Sequence, residues 1–313
     1  MTPPQTSLPS RSTVAVISST LGTLRWLMRH PLGARDKKGT LSRWARWKIG
    51  SRILGGAAVM PFVGDTVLIV QPGMTGATGN IYVGLHEFAD MAFLLHFLRP
   101  EDRFIDAGAN VGAYSILASG VCCAETLAVE PIPSTFKHLQ ANVRINDLTD
   151  RIRTYNRGLA SHPGKLRFTR SLDTVNHVVT DAKAQAAEGV DVEVTTLDAL
   201  TGDHPPSLIK VDVEGFETEV FAGGARTLSD PALCALIVEI NGSGKSYGFD
   251  DEELRLRIES FGFRSYDYEP FTRRLDLAHS KTTVGNALYV RDIDSVVTRL
   301  RSARPVHLYG VTF

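Results

Sequence analysis

The sequence predicts an α/β protein built on a doubly wound, mostly parallel sheet. Seven strand candidates alternate with helical stretches from residue 103 onward, which is typical of βαβ units. Acidic residues follow several of these strands, at the sheet edge where ligands bind in doubly wound proteins. The stretch FIDAGANVGAYS, residues 104–115, adds a glycine-containing turn between the first of these strands and the helix that follows it.

The composition indicates a large buried core and no excess of charge. The chain has 313 residues, of which 43% are hydrophobic, and it carries 34 basic and 34 acidic side chains. This balance disfavours a nucleic-acid partner, which usually requires a broad positive surface. The three cysteines show no CxxC spacing, and no apolar run reaches the roughly 18 residues of a transmembrane helix. We therefore expect a cytoplasmic protein.

The first 61 residues differ in composition from the rest, so we expect an N-terminal extension over 1–61 and one domain over 62–313, with its core at about 85–292. Residues 1–12 are rich in Pro and Ser and predict disorder, followed by short helices. Nine basic residues and all three tryptophans lie between residues 25 and 52, against the single acid Asp36. Two interpretations stay open: the tryptophans pack on the domain, or the segment docks peripherally on an anionic membrane surface.

The elements after the extension follow from hydrophobic periodicity. The stretches DTVLIVQPG and NIYVGL, residues 65–73 and 80–85, predict a hairpin, and HEFADMAFLLHFLRP predicts a helix that ends before Pro100. Residues 165–194 interrupt the alternation and predict two extra strands around a polar loop, a kind of insertion that often lines a substrate pocket. The seven strand candidates are 103–106, 126–129, 152–156, 208–212, 235–240, 263–267 and 287–291.

The turn after the first of these strands has the composition of a nucleoside-binding site. Asp106 ends the strand, and Gly108, Asn110 and Gly112 follow at alternate positions, where glycines allow a tight turn and close approach of a ligand. The pattern D-x-G-x-N-x-G differs from the G-x-G-x-x-G turn that binds a dinucleotide diphosphate. Glu130 ends the next strand and suits a ribose diol. A ribose-binding acid without a diphosphate turn predicts S-adenosylmethionine as the cofactor.

Several segments together resemble the FkbM family of S-adenosylmethionine-dependent methyltransferases, over about residues 104–290. They are FIDAGANVGAYS, AVEPIPSTFKHLQANVRIN, TTLDAL, LIKVDVEGFETEVFAGGARTL and LIVEING. The resemblance implies a class I methyltransferase fold, with a Rossmann-like sheet of seven strands, and O-methylation of a hydroxyl on a sugar, glycolipid or natural product. The alternatives are a non-catalytic cofactor-binding module and a Mg²⁺-dependent O-methyltransferase acting on a vicinal diol.

Three acids at strand ends are candidates for the group that accepts the hydroxyl proton during methyl transfer. The stretch LIKVDVEGFETEV places Lys210, Asp212 and Glu214 at alternate positions, so their side chains share one face of the strand and its exit. The next strand ends with Glu239 and Asn241. Asp212 is the first choice for the catalytic base, with Glu214 and Glu239 behind it. Lys210 is interpreted as the ion-pair partner of Asp212.

Two other interpretations of this region concern histidine and metal. His86 and His177 lie near the predicted site, and we interpret both as surface or packing residues. Asp212, Glu239 and Asn241 could supply oxygen ligands to Mg²⁺, as similar residues do in catechol-type methyltransferases. Because the second strand lacks the adjacent Asp-Asn pair of those enzymes, we predict a site without metal.

Overall fold

A computed structural model describes residues 11–169, 178, 189–278 and 285–313, and of residues 11–19, 54, 75 and 169 it describes the backbone alone. His177 and residues 1–10 therefore lie outside the described residues. Within the described part, no helix combines the length and apolar character needed to cross a membrane.

The N-terminal part is helical and packs against the main core. Asp36 begins the third helix by accepting a hydrogen bond from the backbone N–H of Gly39. Trp47 is 7% exposed, and Trp26 and Trp44 pack half-buried against the same core, so the tryptophans pack on the domain as the first interpretation predicts. The elements are α1 (Arg11–Arg29), α2 (Pro31–Arg35), α3 (Lys37–Leu54), β1 (Ala58–Pro61), β2 (Val67–Val70), α4 (Thr75–Val83) and α5 (Phe88–Phe97).

The hairpin forms between a different pair of segments from the pair predicted from the sequence. Strand β2 pairs antiparallel with β1, whereas residues 80–83 of the stretch NIYVGL end helix α4. Ala77 and Ile81 are buried one helical turn apart, and the Asn80 side chain accepts a hydrogen bond from the backbone N–H of His86. The prediction of a strand at residues 80–85 is therefore wrong, because a short apolar run fits one helical turn as well as a strand.

The rest of the described chain alternates strands and helices as predicted. A π-helical turn, Leu117–Val121, follows α6, and a 3-10 turn, Ser243–Tyr247, follows β10. The elements are β3 (Arg103–Ala107), α6 (Ala113–Ile116), β4 (Glu125–Val129), α7 (Pro133–Ile145), β5 (Ile152–Tyr155), β6 (Gly158–Leu159), β7 (Gly164–Thr169), β8 (Gly189–Thr195), α8 (Leu197–Thr201), β9 (Leu208–Val211), α9 (Glu217–Ala222), α10 (Ala225–Ser229), β10 (Ala235–Ile240), α11 (Asp251–Ser260), β11 (Arg264–Glu269), β12 (Arg274–Leu277), β13 (Gly285–Val290), α12 (Ile293–Ser302), β14 (His307–Leu308) and β15 (Val311–Thr312).

The central sheet has eight strands in the order β12-β11-β13-β10-β9-β3-β4-β5. Strands β5, β4, β3, β9 and β10 run parallel, while β13 is antiparallel to both β10 and β11. The eighth strand, beyond the seven predicted, is β12, which pairs antiparallel with β11 at the sheet edge. The chain fills one side of the sheet from β3 to β5 and the other from β9, so the strand order reverses between β3 and β9. A cleft opens at the carboxyl ends of the strands at such a reversal.

The two extra strands predicted within residues 165–194 are present as β7 and β8. They pair antiparallel, and β8 also pairs with the short strand β6 in a separate three-stranded sheet. Residues 170–177 and 179–188, which include most of the predicted polar loop, lie outside the described residues.

Asn142 of α7 and Asn146, which follows the last residue of that helix, hold the N-terminal hairpin against the central domain. The backbone N–H of Val67 donates to Asn146 Oδ1 at 2.8 Å, and that of Ile69 donates to Asn142 Oδ1 at 2.7 Å. Two strand residues advance about 6.7 Å and four helical residues about 6 Å, so the two spacings match. Asn142 Nδ2 also donates to the carbonyl of Val111 at 2.8 Å. One side chain thus connects the hairpin to the turn after β3.

Candidate active site

A cavity of about 620 Å³ lies at the carboxyl ends of β3, β4 and β9, within the size range of small-molecule sites. It brings together seven of the eight residues predicted from the sequence to bind cofactor or act in catalysis. Gly112 is the eighth, and it does not line the cavity. The seven are Asp106, Gly108, Asn110, Glu130, Asp212, Glu214 and Glu239.

Asp106 is buried near the end of β3, and a residue of helix α6 fixes its side chain. Its Oδ2 accepts a hydrogen bond from the Ser115 hydroxyl of α6 at 2.6 Å. Burial raises the pKa of Asp106, and the positive charge of Lys210 opposes that effect. Asp106 therefore has one oxygen held by protein and lies close to the cation of the neighbouring strand.

The two glycines of the turn after β3 are required by contacts within the protein. Gly108 has a φ of +82°, and a Cβ at this position would lie 1.8 Å from the backbone oxygen of Asp212. Gly112 has a φ of +90°, and a Cβ there would lie 2.6 Å from a methyl of Leu139. Left-handed backbone favours glycine in any case. Gly108 thus lets the turn after β3 approach the end of β9 closely.

Glu130 follows β4 and holds the turn after β3 through its carboxylate. Its Oε2 accepts a hydrogen bond from the backbone N–H of Asn110 at 3.0 Å, and its Oε1 accepts one from that of Ile132 at 2.9 Å. Asn110 itself has a φ of 49°. Burial raises the pKa of Glu130 to about 7, although both N–H groups favour its charged form. Each oxygen keeps acceptor capacity toward the cavity.

Lys210 and Asp212 form an ion pair at the end of β9. Lys210 Nζ donates to Asp212 Oδ2 at 2.6 Å, and it lies 4.9 Å from the centre of the Tyr114 ring. Burial alone would lower the pKa of Lys210, but the negative charges of Asp212, Glu87 and Asp106 outweigh it and hold the pKa above its ordinary value. The interpretation of Lys210 as the ion-pair partner of Asp212 is confirmed.

Glu214 and Glu239 lie beside Asp212 and hold protons more tightly than ordinary carboxyl groups. Burial, followed by the negative charge of Asp212, raises the pKa of Glu214 to about 7 and that of Glu239 to about 9. Oε2 of Glu239 is buried and has no hydrogen-bond partner among the described residues. Of these two groups, Glu239 therefore holds its proton more tightly than Glu214 does.

The loop that carries Glu214 is shaped by a second buried acid, Glu217. Glu214 has a φ of 56°, which is unusual for a residue with a side chain. Glu217 Oε1 accepts hydrogen bonds from the backbone N–H groups of Val213 and Gly215, at 3.1 and 3.2 Å. The left-handed turn therefore has a local support that the sequence pattern alone did not indicate.

A second polar cluster near Lys210 was not predicted from the sequence. Glu87 accepts hydrogen bonds from the Tyr114 hydroxyl at 2.8 Å and from Asn286 Nδ2 at 3.0 Å. Asn286 also donates to Asp90 at 3.2 Å, and burial raises the pKa of Asp90 to about 7. Glu87 and Tyr114 line the cavity. Because these residues come from α5, α6 and β13, no local motif brings them together.

Part of the cavity wall comes from the chain before β3. Gln71, Met74, Asn80 and His86 all line it. The His86 ring lies 5.1 Å from that of Trp26, and burial lowers its pKa against the opposing charge of Glu87. The aromatic contact agrees with a packing role for His86, although its position on the wall was not predicted.

The possible metal ligands differ from the set considered in the sequence. Asp212, Glu214 and Glu239 offer oxygen atoms that all lie within 4.8 Å of one another. The exposed Asn241 instead accepts a hydrogen bond from the backbone N–H of Ser243 at 2.9 Å. The acids could share a divalent cation, or they could share protons, since both arrangements relieve the repulsion between like charges.

Comparison with known proteins gives matches among methyltransferases. The family described as Methyltransferase FkbM domain matches residues 106–265, just over half of the chain. Methyltransferase 1 of Beauveria bassiana is 29% identical over 150 residues, which cover 40% of this chain and 59% of that protein. Hexuronic acid methyltransferase AglP of Haloferax volcanii is 30% identical over 155 residues, which cover 47% of this chain and 59% of that protein.

Among solved structures, methyltransferase FkbM from Methylobacillus flagellatus aligns with a TM-score of 0.44 and 17% identity. The alignment covers 69% of this chain and 52% of that chain. The chain spans less than two thirds of the length of the curated relatives that it matches.

Proposed function

The chain belongs to the FkbM methyltransferase family, and from this premise we propose that it methylates a hydroxyl group of a sugar or a related small molecule. S-adenosylmethionine is the cofactor that goes with this membership. The observation that supports the proposal best is the position of Asp212, which is paired with Lys210 on the wall of a cavity beside two carboxyl groups whose pKa values are raised.

The cavity residues near β3 and β4 suit this cofactor. S-adenosylmethionine supplies a methyl group on a positively charged sulfonium when it is bound. Asp106 and Glu130 line the same cavity, and the free acceptor capacity of Glu130 suits ribose hydroxyls. Asn110 would contribute to the same part of the site, while Gly108 and Gly112 shape the turn that carries it.

Asp212 is the group that we assign to the acceptor hydroxyl. Attack by a hydroxyl oxygen requires a nearby group to accept its proton, and a carboxylate within hydrogen-bond distance can do so. Lys210 holds one oxygen of Asp212, which fixes the carboxylate and leaves its other oxygen for the hydroxyl. Glu239, with a pKa of about 9, carries a proton at neutral pH and can donate a hydrogen bond to another oxygen of the acceptor. Glu214, with a pKa of about 7, is protonated in about half of the molecules at pH 7, so it can donate or accept.

The chemistry of the cavity wall supports a sugar as the acceptor. Carboxyl groups that donate and accept hydrogen bonds suit neighbouring hydroxyls such as those of a sugar. The relative from Haloferax volcanii is named a hexuronic acid methyltransferase, which supports a sugar acceptor here. The carboxylates of Glu87 and Asp212 on the wall would repel the carboxylate of a substrate, so a neutral sugar fits this cavity better than a uronic acid.

A Mg²⁺-dependent reaction on a vicinal diol is the second candidate. Its support is the distance of no more than 4.8 Å between the oxygens of Asp212, Glu214 and Glu239. Carboxylate oxygens are the ligands that Mg²⁺ prefers. In this alternative the metal, rather than the carboxylate of Asp212, would activate the hydroxyl.

The proposal is tested by incubating the full chain with methyl-labelled S-adenosylmethionine and a panel of neutral sugars, uronic acids, diols and phenols. We expect label in a neutral sugar, and a decrease of at least about 100-fold in turnover for Asp212→Asn with nearly unchanged cofactor affinity. Asp203→Asn, a change of the same kind at an exposed acid, is the matched control. Full turnover in Asp212→Asn would contradict the assignment of the base.

A further inference from the structure

The outward side of α3 carries large aliphatic side chains that the protein leaves in solvent. Leu41, Ile49 and Ile53 are 40%, 60% and 77% exposed, respectively. At 100° per residue they lie within about one third of the helix circumference. Thr40 and Trp47, on the opposite side, are buried against the domain. The three exposed side chains therefore form one apolar strip rather than scattered contacts.

Basic side chains accompany this strip along the helix: Lys38 and Arg52 lie among the aliphatic residues, and Arg46 and Lys48 lie on either side. Lys38, Arg46, Lys48 and Arg52 are exposed, and none forms an ion pair with a described residue. The sequence contains no acid between Asp36 and Asp65, and Asp36 is paired with Arg43 at 2.8 Å. We call the three aliphatic and four basic side chains together the α3 outer face. A positive surface of this kind complements an anionic partner.

The tryptophans of the segment do not belong to the α3 outer face. Trp47 is buried, while Trp26 and Trp44 are half-buried against the core, with the ring of Trp26 against that of His86. If the segment contacts a lipid surface, the apolar contribution must come from Leu41, Ile49 and Ile53. Aliphatic side chains flanked by Lys and Arg are the composition of helices that lie in the plane of a membrane interface.

We propose that the α3 outer face docks the protein reversibly on an anionic lipid surface. The helix of 18 residues is about 27 Å long, so it lies along the surface as one contact. Helix α3 is connected to α4 by a hydrogen bond from Arg43 Nε to the carbonyl of Tyr82 at 2.9 Å. Because α4 also contributes Gly76, Ala77 and Asn80 to the cavity wall, docking brings the lipid surface near the cavity.

The test measures co-sedimentation of the full chain with vesicles of phosphatidylcholine that contain about one third phosphatidylglycerol. Each Lys or Arg near an anionic surface strengthens binding about fivefold, so we expect binding at low salt and release as the salt concentration rises. Vesicles of phosphatidylcholine alone should bind much more weakly. Binding that is equal for both vesicles, or absent from the anionic ones at low salt, would overturn the proposal.

Charge variants locate the contact. Changing all four basic residues of the α3 outer face to Gln should weaken partitioning by more than about 100-fold. A second quadruple Gln variant carries the same change in net charge on other elements and should bind like the unchanged protein. If this control lost as much binding, the attraction would reside in the overall charge and not in α3. The control positions are Arg153, Lys165, Arg264 and Arg301, all exposed.

A variant of the aliphatic strip separates insertion from charge attraction. The double change Ile49→Ser and Ile53→Ser removes two exposed side chains, so the fold keeps its core. We expect about tenfold weaker binding with the salt dependence retained, because the basic residues are unchanged. Unchanged affinity would exclude contact of the strip with lipid. None of these measurements requires methyl transfer, so their failure is distinct from failure of the proposed function.

Discussion

The ammonium of Lys210 donates to the carboxylate of Asp212 at 2.6 Å, and the two ends of this pair lie in different surroundings. The side chain of Lys210 is 4% exposed, while that of Asp212 is 26% exposed and faces the cavity. A buried cation therefore supports an acid that a substrate can reach. The pair links the stability of the sheet to the charge in the site.

Replacing Lys210 with Met should lower the free energy of unfolding by about 3 kcal/mol at pH 7, because the change leaves buried negative charge without its partner. At pH 5.5 the loss should be smaller, since neighbouring carboxyl groups then take up protons. Urea titrations at both pH values measure the difference. Lys165→Met, at an exposed position, should change stability by less than about 0.5 kcal/mol. An equal loss at both pH values would indicate a packing defect instead of a charge effect.

Glu130→Gln should weaken binding of S-adenosylmethionine by about 1.5 to 3 kcal/mol, because the change removes a charged acceptor from the cofactor side of the cavity. Isothermal calorimetry with the ribose and the 2′-deoxyribose forms of the demethylated cofactor shows whether Glu130 contacts the 2′-hydroxyl of the ribose. The unchanged protein should prefer the ribose form, and the variant should lose much of that preference. A preference that survives intact would limit Glu130 to holding the N–H groups of Asn110 and Ile132.

Gly108→Ala should lower the free energy of unfolding by about 3 kcal/mol. The new methyl would meet the backbone oxygen of Asp212, and φ at this position is positive. Gly164→Ala is the matched control, since a methyl at that position meets no atom within 4 Å. Thermal unfolding of both variants without ligand is the measurement. If Gly108→Ala kept its stability and lost only cofactor affinity, the glycine would serve the ligand rather than the approach of β3 to β9.

Glu239 should make the folded protein less stable as the pH rises. Its folded pKa of about 9 lies above the ordinary value of 4.5, so the folded protein binds this proton more tightly than the unfolded chain does. The stability that the proton contributes is present at low pH and is lost as the pH rises through about 9. The melting temperature of Glu239→Gln should therefore rise relative to that of the unchanged protein between pH 6 and pH 9. Glu193→Gln, at an exposed acid of β8, should show no such relative rise.

Treatment with EDTA decides between the two candidate reactions. We expect methyl transfer to continue after chelation, because protons on Glu214 and Glu239 already reduce the repulsion around Asp212. Activity lost in EDTA and restored by Mg²⁺ would establish the metal-dependent alternative. In that case Asp212→Asn, Glu214→Gln and Glu239→Gln should each weaken binding of Mg²⁺ measured by calorimetry.

Residues at strand ends were the most predictable part of the site. Asp106, Glu130, Asp212 and Glu239 each follow or end a buried strand, and the carboxyl ends of parallel strands meet at one edge. The alternation of strands and helices likewise predicted the sheet, while the family was predicted from the resemblance of the quoted segments. The contact that requires glycine at position 108 was not predictable. The backbone oxygen that a Cβ there would meet belongs to Asp212, about one hundred positions later in the chain.

Contacts from outside the βαβ units could not be predicted from local pattern. Glu87 lies at the start of the stretch that predicts helix α5, and a single acid at that position does not indicate a site. Its partners Tyr114 and Asn286 come from distant elements. The misassigned stretch at residues 80–85 has a related cause. Ile81 packs one helical turn from Ala77, which lies before the stretch, and the side chain of Asn80 accepts a hydrogen bond from the backbone N–H of His86 at this helix end. The division of the chain at residue 61 stays a prediction.

The pair Asn142 and Asn146 has a consequence for protein engineering. These side chains take the place of a neighbouring strand for Val67 and Ile69, so the hairpin depends on two residues that lie more than seventy positions away. A relative that receives the first hundred residues of this chain must therefore also carry a compatible pair at the positions of Asn142 and Asn146. Without it, two backbone N–H groups lose their acceptors, and the graft fails at a junction far from the splice point.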